Sequence, residues 1–115
     1  MQYQMLQAKI HRATVTDARL HYEGSISIDE DLLDAAGIRE FQQVQVVNIN
    51  NGARFETYAL RASRGSGTLC LNGACARLAC VGDLVIVFTY CLYTEDELAG
   101  YAPRIIHVDE KNRRI

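Results

Sequence analysis

Long apolar runs are missing from this sequence: the longest, Leu84 to Phe88, has five residues, against about twenty for a helix that crosses a bilayer. No charged n-region leading into an apolar stretch opens the chain. Neither a membrane association nor a secretion signal is expected, and the expected compartment is the cytoplasm. A concentrated basic face is missing too. The 12 basic and 14 acidic residues give a formal charge of -2, and the basic ones are scattered except for Lys111, Arg113 and Arg114. A nucleic-acid partner is therefore not expected.

The four cysteines, Cys70, Cys75, Cys80 and Cys91, stand five, five and eleven residues apart. Without a C-x-x-C pair they fit neither a zinc site nor a dithiol redox centre. In a reducing compartment they are expected to be buried, inert thiols. His and acidic residues are not clustered at metal-ligand spacing, so a metal-dependent hydrolase is disfavoured and no metal is expected. Repeats, linkers and low-complexity segments are absent. At 115 residues, 49% hydrophobic and 23% charged, the chain is expected to form one domain, 1–115, around one core.

What is present is a series of short periodic segments. From Met5 to Val15, Leu6, Ala8 and Ile10 alternate with Gln7, Lys9 and His11, which predicts a strand with Lys9 and His11 on one wet face. His21 to Ile26 starts another extended segment. Asp29 to Ala36, acidic at its start and followed by Gly37, predicts a short helix. Val44 to Ile49 and Arg54 to Leu60 flank Asn50-Asn51-Gly52, a hairpin pattern. Ser63 to Gly67 reads as a loop, Thr68 to Leu71 as a brief strand and Ala74 to Ala79 as a helical turn. The unalternating run Leu84 to Phe88 predicts a strand covered on both faces. Thr94 with Glu97 forms a capping-box pattern, and Arg104 to Val108 predicts a last strand. Many short strands with two or three small helices predict a mainly β fold, barrel or sandwich.

Several strings of this sequence together resemble the aspartate 1-decarboxylase family. They are Met5-Leu6-Gln7 with Lys9 and His11, His21-Tyr22-Glu23-Gly24-Ser25, Asn51-Gly52 with Arg54-Phe55 and Thr57-Tyr58, Arg64-Gly65-Ser66, Asn72-Gly73-Ala74, and Val81-Gly82-Asp83. Each string is common alone, but their joint order and spacing over the first ninety or so residues is specific. The resemblance implies a double-psi β-barrel with short helices, assembled as a homotetramer with active sites between subunits. It also implies decarboxylation of L-aspartate to β-alanine and CO2, for pantothenate and coenzyme A biosynthesis.

Decarboxylating an amino acid leaves an electron pair on Cα that needs an electrophilic sink. The family builds one from a serine, and Ser25 occupies that position. Self-cleavage between Gly24 and Ser25 would give chain 1–24 (β) and chain 25–115 (α), the latter starting with a pyruvoyl group that forms an imine with substrate. Neither pyridoxal phosphate nor a metal is implied. A glycine at 24 leaves the carbonyl open to attack and tolerates unusual torsions. By the same resemblance Thr57 supports the oxyanion during processing and contacts substrate afterwards, and Tyr58 donates the proton that quenches the decarboxylated intermediate, as a phenol protonated at neutral pH can. Arg54 and Lys9 would hold the two carboxylates. Asn72, Gly73, Ala74 and Cys75 match the substrate loop, where N–H groups starting a helical turn suit an anion. Relatives commonly carry alanine where this chain has Cys75, and some require a maturation factor.

Along a strand Arg54 and Tyr58 share a face and Thr57 takes the other, so a bulge or a second subunit must bring the three together. Apart from the resemblance, Ser25 and Gly24 read as ordinary turn or strand residues, and Arg54, Lys9 and Tyr58 as solvated or half-buried ones. The competing reading is an uncleaved, non-catalytic barrel that binds a small anion or a partner protein.

Overall fold

The structure is a computed structural model that describes residues Met1–Ile115. Its strands are β1 (Gln2–Thr14), β2 (Asp17–Arg19), β3 (Ser25–Asp29), β4 (Gln43–Asn48), β5 (Arg54–Ala62), β6 (Leu69–Asn72), β7 (Leu84–Thr94) and β8 (Arg104–His107). Helix α1 covers Glu30–Ala36, and 3-10 turns cover Gly73–Leu78 and Glu97–Gly100. The fold is mainly β, as the short alternating segments predict. No helix is long and apolar enough to cross a membrane.

Neighbouring strands run in the order β2-β6-β3-β5-β4-β7-β1-β8. β1 and β2 are successive in the chain yet lie near opposite ends of that row, and the residues between them bond to both sides. Val15 N–H donates to Asp83 O at 2.9 Å and Val15 O accepts from Gly82 at 2.8 Å, while Thr16 N–H donates to Leu69 O at 2.8 Å. The β1–β2 path thereby draws the two ends of the row together around one core, with β8 added in parallel outside β1, an arrangement consistent with the double-psi β-barrel. Ile10, Ile26, Ile28, Leu33, Val46, Leu69, Leu71, Val85 and Val87 fill the interior and are fully buried.

The hairpin between β4 and β5 forms as predicted, with an uninterrupted register from Val47 opposite Arg54 to Gln43 opposite Tyr58. Thr94 and Glu97 make both bonds of the capping box: Thr94 N–H donates to Glu97 Oε1 at 2.8 Å and Glu97 N–H donates to Thr94 Oγ1 at 3.3 Å. Three expectations are corrected. In β1 the register slips between Leu6 and Ala8, so Gln7 is an extra residue and Leu6 shares the outer face with Lys9 rather than the core with Ala8 and Ile10. In β7 Val85, Val87 and Phe88 are buried as predicted, whereas Leu84 and Ile86 are half-buried, because the face that carries them is open to the surface, where Ile86 lines a cleft. Of the cysteines only Cys70 is buried; Cys75 and Cys91 are half-buried, Cys80 is exposed and all four are unpaired.

Helix α1 begins one residue later than predicted because Asp29 is its N-cap. The Asp29 carboxylate accepts from Asp31 N–H at 2.9 Å, from Gly65 N–H at 3.0 Å and from Gly67 N–H at 2.8 Å. One buried side chain thus caps the helix and closes the loop before β6. Asp29→Ala strands these donors and is expected to cost roughly 2–4 kcal/mol, read as a lowered Tm in thermal unfolding; a Tm within a degree of wild type would contradict that accounting.

Candidate active site

Two groups of candidate side chains face away from the core. The first is built where β3 lies between β5 and β6. Ser25 pairs with Asn72 and Ser27 with Cys70 across an antiparallel ladder, and residues two apart on a strand share a face. Ser25, Ser27, Cys70 and Asn72 therefore stand together, with Ile26, Ile28, Leu69 and Leu71 directed into the core.

Ser25 is fully buried although Gly24 beside it is exposed. Its hydroxyl accepts from Asn72 Nδ2 at 3.0 Å and is directed back along the chain, 3.4 Å from the Glu23 carbonyl oxygen to which it donates. The second hydrogen of Asn72 Nδ2 goes to Ser27 Oγ, also at 3.0 Å. Gly73, at φ +73°, closes the corner from the other side: a Cβ there would lie 2.7 Å from Gly24 Cα and 2.9 Å from Tyr22 O. The glycine with the demanding torsion is thus Gly73, not Gly24, whose φ is not positive and whose missing side chain leaves open space. The Cys75 thiol lies 3.0 Å from Asn72 O and 3.5 Å from Ser25 O. Burial pushes its pKa up, so it stands there as a protonated donor. Ala74 is exposed at the rim.

The second region is a cleft of about 310 Å³ formed by Leu6, Lys9, Val47, Arg54, Ile86, Phe88 and Tyr90. Two cations, Lys9 and Arg54, share it with apolar walls, and the Arg54 guanidinium carbon lies 5.5 Å from the centre of the Phe88 ring. The bulge at Gln7 allows Lys9 and Leu6 to line it together. His11 belongs elsewhere, its ring edge-on to His107 with centres 5.6 Å apart; burial, then the nearby Lys9 charge, lowers its pKa.

The predicted site residues therefore divide into two groups. Gly24, Ser25, Asn72, Gly73 and Cys75 are brought together; Lys9 and Arg54 are brought together apart from them. The parallel register of β3 and β5 sets Ile26 opposite Ala59, which extended by one residue puts Tyr58 level with Ser25 on the same face. Arg54 lies four residues further along β5, about 13 Å at the rise of a strand. No shift interrupts the β4–β5 ladder between Arg54 and Tyr58, so no bulge turns Thr57 to their face. Thr57 shares the inward parity of Ala59.

Comparison with known sequences places this arrangement. A sequence model described as aspartate decarboxylase matches residues 1–115. The chain belongs to the aspartate decarboxylase family. It is 59% identical over 113 residues to the aspartate 1-decarboxylase of Caldicellulosiruptor saccharolyticus, covering 98% of this chain and 88% of that protein. It is 58% identical over 113 residues to the aspartate 1-decarboxylase of Bordetella avium, covering 98% of this chain and 93% of that protein. The aspartate 1-decarboxylase of Thermoanaerobacter pseudethanolicus is 53% identical over 115 residues, covering 100% of this chain and 98% of that protein. In this family member, sequence reasoning missed Ser27 and Cys70 beside Asn72, although the two-residue spacing of Ser25 with Ser27 and of Cys70 with Asn72 carries that signal. It also missed Leu6, Val47, Ile86, Phe88 and Tyr90 as walls of the Lys9–Arg54 cleft, which come together only by strand pairing.

Proposed function

We propose that the chain is a pyruvoyl-dependent aspartate 1-decarboxylase, which cleaves itself between Gly24 and Ser25 and converts L-aspartate to β-alanine and CO2, supplying β-alanine for pantothenate and coenzyme A. The observation that carries the reading is the Ser25 hydroxyl: fully buried, held by Asn72 and turned back toward the peptides that precede it. The residues around it fit the formation of the group. The buried oxygen is held by Asn72, and the peptide it would attack is at the surface, where the new end at Gly24 can separate while β1 stays paired with β7 and β8.

In self-cleavage, Ser25 Oγ adds to the Gly24 carbonyl carbon and an ester replaces the amide. Loss of the Ser25 Cα proton then expels the Gly24 carboxylate, and hydrolysis with loss of ammonia leaves a ketone on residue 25. The family resemblance gives Thr57 the oxyanion of the first step and contact with substrate after it, but its inward parity on β5 turns it from the face that Ser25 and Tyr58 share within one subunit. The pyruvoyl group, once formed, supplies the electrophilic carbonyl that draws off the electron pair left by departing CO2. Tyr58 Oη, on the strand beside residue 25, returns a proton to the carbon that lost CO2. Asn72, Gly73, Ala74 and Cys75 border the substrate on the side of the 3-10 turn.

Arg54 and Lys9 bind the substrate carboxylates, but Arg54 lies about 13 Å along β5 from the level of its own Ser25 and turns its guanidinium toward Phe88 on β7, on the side of β5 opposite β3, so one aspartate does not join them. The two groups are half-sites, and each active site combines Ser25 of one subunit with the Lys9–Arg54 cleft of a neighbour in a homotetramer. Apolar residues exposed on β7, Tyr90 and Leu92, support a subunit contact there. The test is complementation. Arg54→Ala and Ser25→Ala are each expected to make no β-alanine alone, while co-expressed mixed oligomers regain activity; mixed oligomers as inactive as either variant would place both residues in one subunit.

A further inference from the structure

We propose that Cys70 is a positioning residue for Ser25: its thiol fixes which end of the Asn72 side chain faces the serine hydroxyl. The inference rests on the self-cleavage reading and extends it to a residue outside the substrate loop. Asn72 is 2% exposed, so each of its polar atoms needs a partner within the protein. Both hydrogens of Nδ2 are used, one on Ser25 Oγ and one on Ser27 Oγ, each at 3.0 Å. The remaining atom, Oδ1, lies 3.2 Å from Cys70 Sγ. The other acceptor near that thiol, Leu71 O, is 4.0 Å away, at the limit of a sulfur hydrogen bond.

An amide is nearly symmetric in shape, and only its partners decide its orientation. Ser25 and Ser27 alone do not decide, because a hydroxyl donates or accepts equally well; their two oxygens match the two hydrogens of Nδ2 only when a single donor at position 70, thiol or hydroxyl, takes Oδ1, and the reversed amide would leave one N–H without a partner. Cys70 decides: a thiol donates weakly but accepts more weakly still, so Oδ1 is drawn to it and Nδ2 is left to the serines. Burial pushes the Cys70 pKa up, which keeps the hydrogen on sulfur. The orientation matters to Ser25. With Nδ2 facing it, the hydroxyl accepts from Asn72 and gives its proton to Glu23 O, which fixes the rotor. With the amide reversed, Oδ1 claims that proton and the hydroxyl turns away from the preceding peptide. Without a donor at 70, either orientation leaves one buried amide atom unpaired and the preference is lost.

Alanine and serine at position 70 remove similar volume and differ in the donor, so the pair separates hydrogen bonding from packing. Self-cleavage of freshly purified protein is followed by intact mass, with Tm measured in parallel. Cys70→Ala is expected to cleave about tenfold more slowly than wild type, the effect of one hydrogen bond, and Cys70→Ser to recover most of the rate at a Tm similar to that of Cys70→Ala. If Cys70→Ala fails to fold, Cys70→Val, which keeps the volume without the donor, takes its place in the comparison. Equal rates in the serine variant and the donor-free variant, fast or slow, would overturn the role of Cys70 while leaving self-cleavage intact. A wild-type chain that never cleaves would instead overturn the self-cleavage reading and this inference with it.

Discussion

Replacing Ser25 with alanine is expected to leave a single chain of 115 residues that produces no β-alanine from L-aspartate. Only the Ser25 oxygen can exchange the Gly24 amide for an ester, and only that ester gives the elimination a carboxylate to expel. Removing one buried oxygen costs the fold little: Asn72 Nδ2 keeps Ser27, and the surrounding Ile26, Ile28 and Leu71 are unchanged. The variant should remain folded, with a Tm a few degrees from wild type, so lost activity would not be lost structure. Cleavage after Gly24 persisting in this variant would defeat the proposed chemistry at its first step.

Tyr58→Phe is expected to separate maturation from turnover. Its ring is packed near Phe41, with centres 6.3 Å apart, and phenylalanine keeps that contact, so folding and self-cleavage should proceed at close to the wild-type rate. The lost hydroxyl removes the proton donor placed level with residue 25, and general acid catalysis of this kind is worth about 10²–10⁴ in rate. The loss should appear in kcat, measured by β-alanine release from fully cleaved protein, with KM little changed. Wild-type kcat in the cleaved variant would remove Tyr58 as the donor.

The two groups of candidate side chains differ in how far the sequence reveals them. Gly37, the Asn50-Asn51-Gly52 hairpin and the Thr94–Glu97 capping box are local signals, and the structure forms each where the sequence predicts it; Asp29 reads locally as the first helical residue, whereas it is the N-cap and its carboxylate also reaches Gly65 and Gly67. Leu6 is different: its face depends on the extra residue Gln7, and a bulge has no signature in an alternating pattern. Leu84 and Ile86 read as core because their apolar character is indifferent to whether another strand or an open cleft lies against them. The division of the candidate site was legible only in part. Parity alone separates Thr57 from Arg54 and Tyr58, but choosing between a bulge and a second subunit required the unbroken β4–β5 register. Ser25 and Ser27 are set beside Asn72 by pairing across 45 or more residues of chain, beyond the reach of any local pattern, whereas Cys70 shares the face of Asn72 through the two-residue period of β6.

The most direct test of the account is the intact mass of the purified protein under denaturing conditions, before and after prolonged warm incubation and again after adding lysate of its source organism to supply any maturation factor. The account predicts two species, residues 1–24 ending in an ordinary carboxylate and residues 25–115 with pyruvoyl in place of the serine. A single unmodified chain under all three conditions would contradict it, leaving a barrel that keeps Gly24 and Ser25 joined and binds an anion or a partner instead.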